Sequence, residues 1–114
     1  MRRIAAALAL PILLAPPAGA VPLVGGGGLT PNAAALADYI RSAYPGVNSI
    51  GGVRPCDAVG EHCRGVALDI MVSDMGLGDS IYNDIYTNKA EHGIKYCLWR
   101  VPEHFSHIHC TVYG

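Results

Sequence analysis

The chain has 114 residues, 51% hydrophobic and 15% charged, with a formal net charge of −1. That balance excludes a disordered chain, and the length suits one domain rather than two. Without a basic patch, nucleic acid is not an expected partner.

The first segment, Met1–Ala20, carries two arginines, an apolar stretch and the small-residue end Ala18-Gly19-Ala20. This is the pattern of a secretory signal peptide, with cleavage expected after Ala20. The apolar stretch is short for a bilayer span and is interrupted by Pro11, Pro16 and Pro17. Cleavage leaves about 94 residues, exported and without a membrane span. It also removes Arg2 and Arg3, leaving six basic against nine acidic residues, or −3 with neutral histidines.

Residues 21–29 contain Gly25–Gly28 in a row and read as a flexible lead-in, so the domain is expected over 30–114. Thr30 as N-cap and Pro31 as first helical residue open a helix. Ala33, Leu36, Ala37, Ile40 and Ala43 form its apolar stripe, and Pro45-Gly46 stops it. Val47–Val53 is a strand candidate weakened by Gly51 and Gly52. Arg54–Arg64 is a polar loop. Val66–Val72 is a β-prone run with Asp69 in its middle. Asp79 is the expected N-cap of a second helix, with Ile81, Ile85 and Ala90 on its apolar side and Gly93 as its stop. His92, just before Gly93, suits the negative end of that helix. Ile94–Val101 and Ser106–Tyr113 read as two strands joined by a turn at Pro102–Phe105, with Trp99 and the tyrosines as packing residues. The order predicts an α+β fold: a small, mostly antiparallel sheet with two helices on one face.

A domain this small buries only about 60–65% of its unfolded surface. Four cysteines in an exported chain suggest disulfides to supplement the core. Three pairings are possible. Cys56–Cys63 and Cys97–Cys110 are favoured because each closes a short local loop, for about 2.5 and about 3 kcal/mol in the chain-entropy model. The rival is a metal site of Cys and His, but no cysteine pair has zinc-knuckle spacing.

His107 and His109 are two apart on a strand and so share a face, with Ile108 and Cys110 on the other. Inward imidazoles need partners, and so does a carboxylate at Asp69. A divalent metal would satisfy them together; pairing of Asp69 with Arg54 or Arg64 is the simpler alternative. Read as a whole, the pattern is His62-Cys-Arg-Gly65-Val-Ala67-Leu-Asp69, then His104-Phe-Ser-His107-Ile-His109.

HxxGxAxD followed by HxH resembles the signature of the zinc D-alanyl-D-alanine metallopeptidases. These include bacterial carboxypeptidases, murein endopeptidases and the related hedgehog-type fold. The resemblance spans roughly Thr30 to Tyr113, and the phrases GGVRP and KYCLWRV are similar to a small secreted actinobacterial branch. It implies zinc ligands at His62, Asp69 and His109, with one coordination position left open. It implies that His107 stands beside the metal as an oxyanion stabiliser and that Arg54 faces a substrate carboxylate. Gly65 and Ala67 must be small for the loop to turn into the strand. The general base is His104 or Glu103, the HxxHxH spacing favouring His104. Two positions depart from the pattern. Gly60 stands where many members have a serine, and Cys63 is an uncommon neighbour of His62.

The resulting expectation is a secreted, monomeric zinc peptidase acting on peptidoglycan peptides beside a D-amino acid. The alternative is a disulfide-stabilised binding protein of the cell envelope that keeps the metal without turnover.

Overall fold

In the computed structural model, the described residues are 20–114; the expected signal peptide, apart from Ala20, lies outside them. The chain order is β1 (Leu23–Val24), α1 (Pro31–Ala43), β2 (Ser49–Gly51), β3 (Ala67–Met71), α2 (Met75–Thr87), α3 (Lys89–His92), β4 (Ile94–Leu98) and β5 (His107–Val112). The five strands form one sheet in the order β1-β2-β3-β5-β4. Only β1 and β2 are parallel; the other three pairings are antiparallel. This is the expected α+β class.

Strand alternation divides the sheet into two faces. Leu68 and Ile70 of β3, with Ile108, Cys110 and Val112 of β5, are buried in one apolar core with Leu36 and Ile40 of α1 and Ile81 and Ile85 of α2. The opposite side chains of the same strands include Asp69, His109 and Thr111. They lie beneath the β2–β3 loop, whose Glu61 and His62 reach them.

Helix α1 begins as expected, with Thr30 Oγ1 accepting from the Ala33 amide and Pro31 at the first position. The second helix differs. Its N-cap is Asp74, which accepts from the Gly76 amide, not Asp79. Asp79 sits inside α2 and binds the end of β4 instead: Trp99 Nε1 donates to Oδ1 at 2.9 Å, and Arg100 Nε and Nη2 donate to both oxygens at 2.8 and 3.0 Å. Gly78 makes room for this contact, since a Cβ there would lie 2.3 Å from Trp99 Cζ2. The helix also breaks at Asn88, and α3 ends on Gly93 at φ 67°. That break leaves Ala90 exposed rather than on the apolar side. His92 closes α3 as expected and packs against the Tyr39 ring at 4.8 Å.

The glycine-rich segment expected to be a flexible lead-in is built into the fold. Val21 is fully buried, and β1 pairs with β2, with Ile50 N donating to Pro22 O and Gly52 N to Val24 O. These contacts tie residues 21–24 to the sheet and its core. The backbone of this segment packs closely on the site loop. A Cβ on Gly65, at φ 75°, would lie 2.2 Å from Gly28 O, which is why that motif position must be glycine.

Both favoured disulfides are present, Cys56–Cys63 and Cys97–Cys110, and they account for all four cysteines. Among the described residues no helix is long and apolar enough to cross a membrane. The single continuous core is compatible with a monomer.

Two surface carboxylates tie α2 to its neighbours. Tyr39 and Tyr44 both donate to Asp84 Oδ2 at 2.6 Å, and Asp79 holds Trp99 and Arg100. The hydrogen bonds from Tyr39 and Tyr44 hold Asp84 below the usual 3.8; the Arg100 and Trp99 donors lower Asp79 to about 2. A depressed native pKa contributes stability that is complete above the unfolded value and lost as pH falls through the folded one. Thermal melting of the metal-free protein is therefore expected to weaken as pH drops from 3.8 towards about 2. Asp79→Asn and Asp84→Asn should each flatten that acid slope; an unchanged slope in both would show that these contacts do not contribute.

Candidate metal centre

The β2–β3 loop presents His62. The Cys56–Cys63 disulfide closes this loop, and Asp57 Oδ1 accepts from the amides of Val59 and Gly60 at 3.1 and 2.8 Å. Gly60 lies at φ 76°, a left-handed conformation that favours glycine over the serine of the resembled pattern. The loop then closes back on itself, with Gly65 N donating to His62 O and Val66 N to Glu61 O. In the sheet register, Asp69 of β3 lies directly opposite His109 of β5. Loop and sheet together bring His62, Asp69 and His109 to one point, with a ligand atom from each within 4.8 Å of the others.

The hydrogen bonds reveal what this cluster lacks. His62 is 3% exposed, and its Nδ1–H donates to Gly52 O at 2.9 Å. Its Nε2 therefore carries the lone pair. That atom is buried without a hydrogen-bond partner among the described residues, 3.3 Å from Asp69 Oδ2. A bare imidazole nitrogen beside a carboxylate oxygen calls for a cation between them. Asp69 Oδ1 in turn faces His109 Nδ1 at 3.0 Å. Two imidazoles and one carboxylate are a donor set that binds a divalent transition metal, so the residues present fit one.

Charge in the cluster is already biased towards a cation. Burial alone pushes Asp69 up, but the hydrogen bonds from His109 and Arg54 outweigh it and hold the carboxyl well below its usual range. Burial pushes His109 down, yet its contacts with Asp69 and Glu61 raise it overall.

The remaining residues singled out from the sequence surround this point. Arg54 Nη1 donates to Asp69 Oδ2 at 2.7 Å while about half its side chain stays exposed. The simpler pairing of Asp69 with an arginine thus exists, alongside the triad rather than instead of it. His107 Nε2 is 3.9 Å from Asp69 Oδ1, and its Nδ1 is 3.2 Å from Ser106 Oγ. Burial lowers its pKa, with the neighbouring imidazoles and Arg54 acting in the same direction. His104 Nδ1–H donates to Pro102 O at 2.9 Å, and its ring centre lies 5.0 Å from that of His107 and 6.0 Å from that of His109. Glu103 is exposed at φ 68°. All of these residues border one cleft of about 430 Å³ with the triad in its floor. Trp99 is buried against Gly78 and is not part of the cleft wall.

Three further site residues were not anticipated. Glu61 Oε1 accepts from His109 Nε2 at 3.0 Å and from Thr111 Oγ1 at 2.7 Å, while Oε2 accepts from Tyr96 OH. Thr111 was within reach of sequence reasoning, since it follows His109 by two on one strand. Tyr96 required the β4–β5 register, and Glu61 required the path of the loop.

No match was found among curated proteins or among solved structures. The profile of a family described as "VldE, C-terminal domain" matches residues 25–104. That stretch holds the elements from α1 to β4, the first two residues of the triad and the turn up to His104, and it makes up most of the chain; the protein belongs to the VldE C-terminal domain family.

Proposed function

We propose that this protein is an exported zinc peptidase that hydrolyses peptidoglycan peptides, related in mechanism to the D-alanyl-D-alanine metallopeptidases. The observation that carries the reading is the buried lone pair of His62 Nε2, aimed with Asp69 and His109 at the floor of a cleft walled by His104, His107 and Arg54. The order and spacing of these residues follow the HxxGxAxD and HxH motifs. Two disulfides suit an oxidising compartment and hence export.

His62, Asp69 and His109 would hold the zinc, which would supply Lewis acidity to a scissile carbonyl and its attacking water. The rest of the work falls to the chain. Arg54 keeps half its guanidinium towards solvent, and a guanidinium binds a peptide carboxylate in two parallel hydrogen bonds. His104 spends its Nδ1 proton on Pro102 O, so its Nε2 is free to accept a proton from water. When Ser106 Oγ–H donates to His107 Nδ1, His107 carries its own proton on Nε2 and can donate to a developing oxyanion.

Zinc-loaded protein with intact disulfides should release products from stem peptides or cross-linked muropeptides, followed by liquid chromatography and mass spectrometry. His104→Ala is expected to keep its zinc and lose about a hundredfold in rate, with Glu103→Ala losing much less. The reverse ranking would make Glu103 the base. No release by the wild type on any of these peptides would replace the enzyme reading with that of a metal-bearing envelope-binding protein.

A further inference from the structure

Among the described residues, Glu61 is the carboxylate outside the ligand triad that hydrogen-bonds to a triad histidine. It directly precedes His62, yet its side chain crosses to the strands. His109 Nε2, Thr111 Oγ1 and Tyr96 OH all donate to it, and only 13% of the side chain is exposed. Three donors on two strands leave this carboxylate no freedom to turn.

The consequence falls on His109. A neutral imidazole carries one proton, on either nitrogen, and the hydrogen bond at one nitrogen decides the state of the other. Both nitrogens of His109 face a carboxylate oxygen at 3.0 Å, and each oxygen can only accept; a metal held by Asp69 would take the place of the proton on Nδ1, and Glu61 would then keep the remaining proton on Nε2 and leave the lone pair on Nδ1. Nδ1 is the atom that faces Asp69. His62 is arranged in the opposite sense: Gly52 O takes its Nδ1 proton and leaves Nε2 bare. With a metal between them the two histidines would be in opposite tautomers, each set by an acceptor on its far nitrogen, and both acceptors come from the segment joining β2 to β3.

We propose that Glu61 is a positioning residue of the metal centre: it selects the Nε2–H tautomer of His109 and thereby presents Nδ1 as a metal ligand. The inference rests on the metal-centre reading and is independent of whether the protein is a peptidase. A carboxylate behind a ligating histidine also makes the ring a more basic donor. With Asp69 it supplies two negative charges against a divalent ion. Tyr96 and Thr111 act one step further out, by keeping the Glu61 carboxylate facing the ring.

The test uses the full chain with disulfides intact and zinc as the probe. Zinc affinity is measured by competition with a chromogenic chelator. Long-range proton–nitrogen NMR of the zinc-loaded protein identifies which nitrogen of His109 holds the proton. Glu61→Ala is expected to bind zinc about 10–100-fold more weakly and to lose the single Nε2–H signature. Glu61→Gln still accepts through its amide oxygen. It should keep that signature and recover part of the affinity, remaining about tenfold weaker than wild type. Wild-type affinity in Glu61→Ala, or in Glu61→Gln where the alanine variant does not fold, overturns the proposal. So does a wild-type His109 that carries its proton on Nδ1. A wild type that takes up no zinc at all removes the metal centre and this inference together, whereas zinc uptake unaffected by Glu61 removes this inference alone.

Discussion

Asp69→Ala is expected to abolish stoichiometric zinc binding, with a loss of affinity well beyond the ~10–100-fold that outer contacts cost. Asp69 is the only anion of the triad. Its two oxygens face different partners: Oδ1 is 3.0 Å from His109 Nδ1, and Oδ2 is 3.3 Å from His62 Nε2 and 2.7 Å from Arg54 Nη1. Alanine removes a ligand and the charge that offsets the ion. It also leaves the Arg54 guanidinium as an uncompensated cation beside the site, which repels a metal. Asp69→Asn separates the two effects, because it keeps the shape and an acceptor oxygen but not the charge. The metal-free fold should suffer as well. Removing one partner of a buried ion pair costs about 3–5 kcal/mol; here the cost falls below that range, because Arg54 is half exposed and screened by water. Chelator competition and thermal melting of the metal-free protein measure the two losses separately. Undiminished zinc affinity in Asp69→Ala would move the metal to other residues.

What was legible in the sequence follows from what is local. Thr30 and Pro31 act within one turn of helix, so the start of α1 could be read directly. The period of two in β5 placed His107 and His109 on one face and Ile108 and Cys110 on the other without knowledge of any partner strand. The triad itself was legible because its spacing follows a known pattern. The misreadings all involve distant partners. Asp79 has the chemistry of an N-cap, but its carboxylate is occupied by Trp99 and Arg100, about twenty residues away. Asp74 takes the cap, and Gly76 and Gly78, which argue against a helix locally, are tolerated because Trp99 packs onto α2 at Gly78. Gly25–Gly28 read as flexible, yet glycine there permits close backbone approach: a Cβ on Gly25 would meet Val53 O at 2.2 Å, and Gly28 packs its carbonyl on Gly65. A parallel pairing of β1 with β2 around a whole helix leaves no local mark. Glu61 was overlooked for the same reason, since its partners are 35 to 50 positions further along the chain.

Converting Cys97 and Cys110 together to alanine is expected to cost about 3 kcal/mol of folding stability, and more where the alanines leave a void. The bond closes a loop between residues 13 apart, and the two cysteines lie directly opposite in the β4–β5 register. Both are buried in the core, Cys110 fully and Cys97 with 8% exposed. The hairpin they staple carries Tyr96 on one strand and His107, His109 and Thr111 on the other, with His104 in the turn between. Its turn includes Arg100 and Glu103, two non-glycine residues at positive φ, a conformation the surrounding contacts must maintain. Loosening the hairpin therefore weakens the fold and the metal centre together. The other disulfide separates these effects. Cys56–Cys63 spans only seven positions at the surface, and its chain-entropy share is about 2.5 kcal/mol. Its loop carries Glu61 and His62 and little of the core, so Cys56→Ala/Cys63→Ala should lose zinc affinity before it loses melting temperature. Melts and zinc titrations of the two double variants, side by side, test this division. Equal losses of stability in both, or a Cys97→Ala/Cys110→Ala protein that melts with the wild type, would show that the terminal hairpin is held by its core packing and not by the bond.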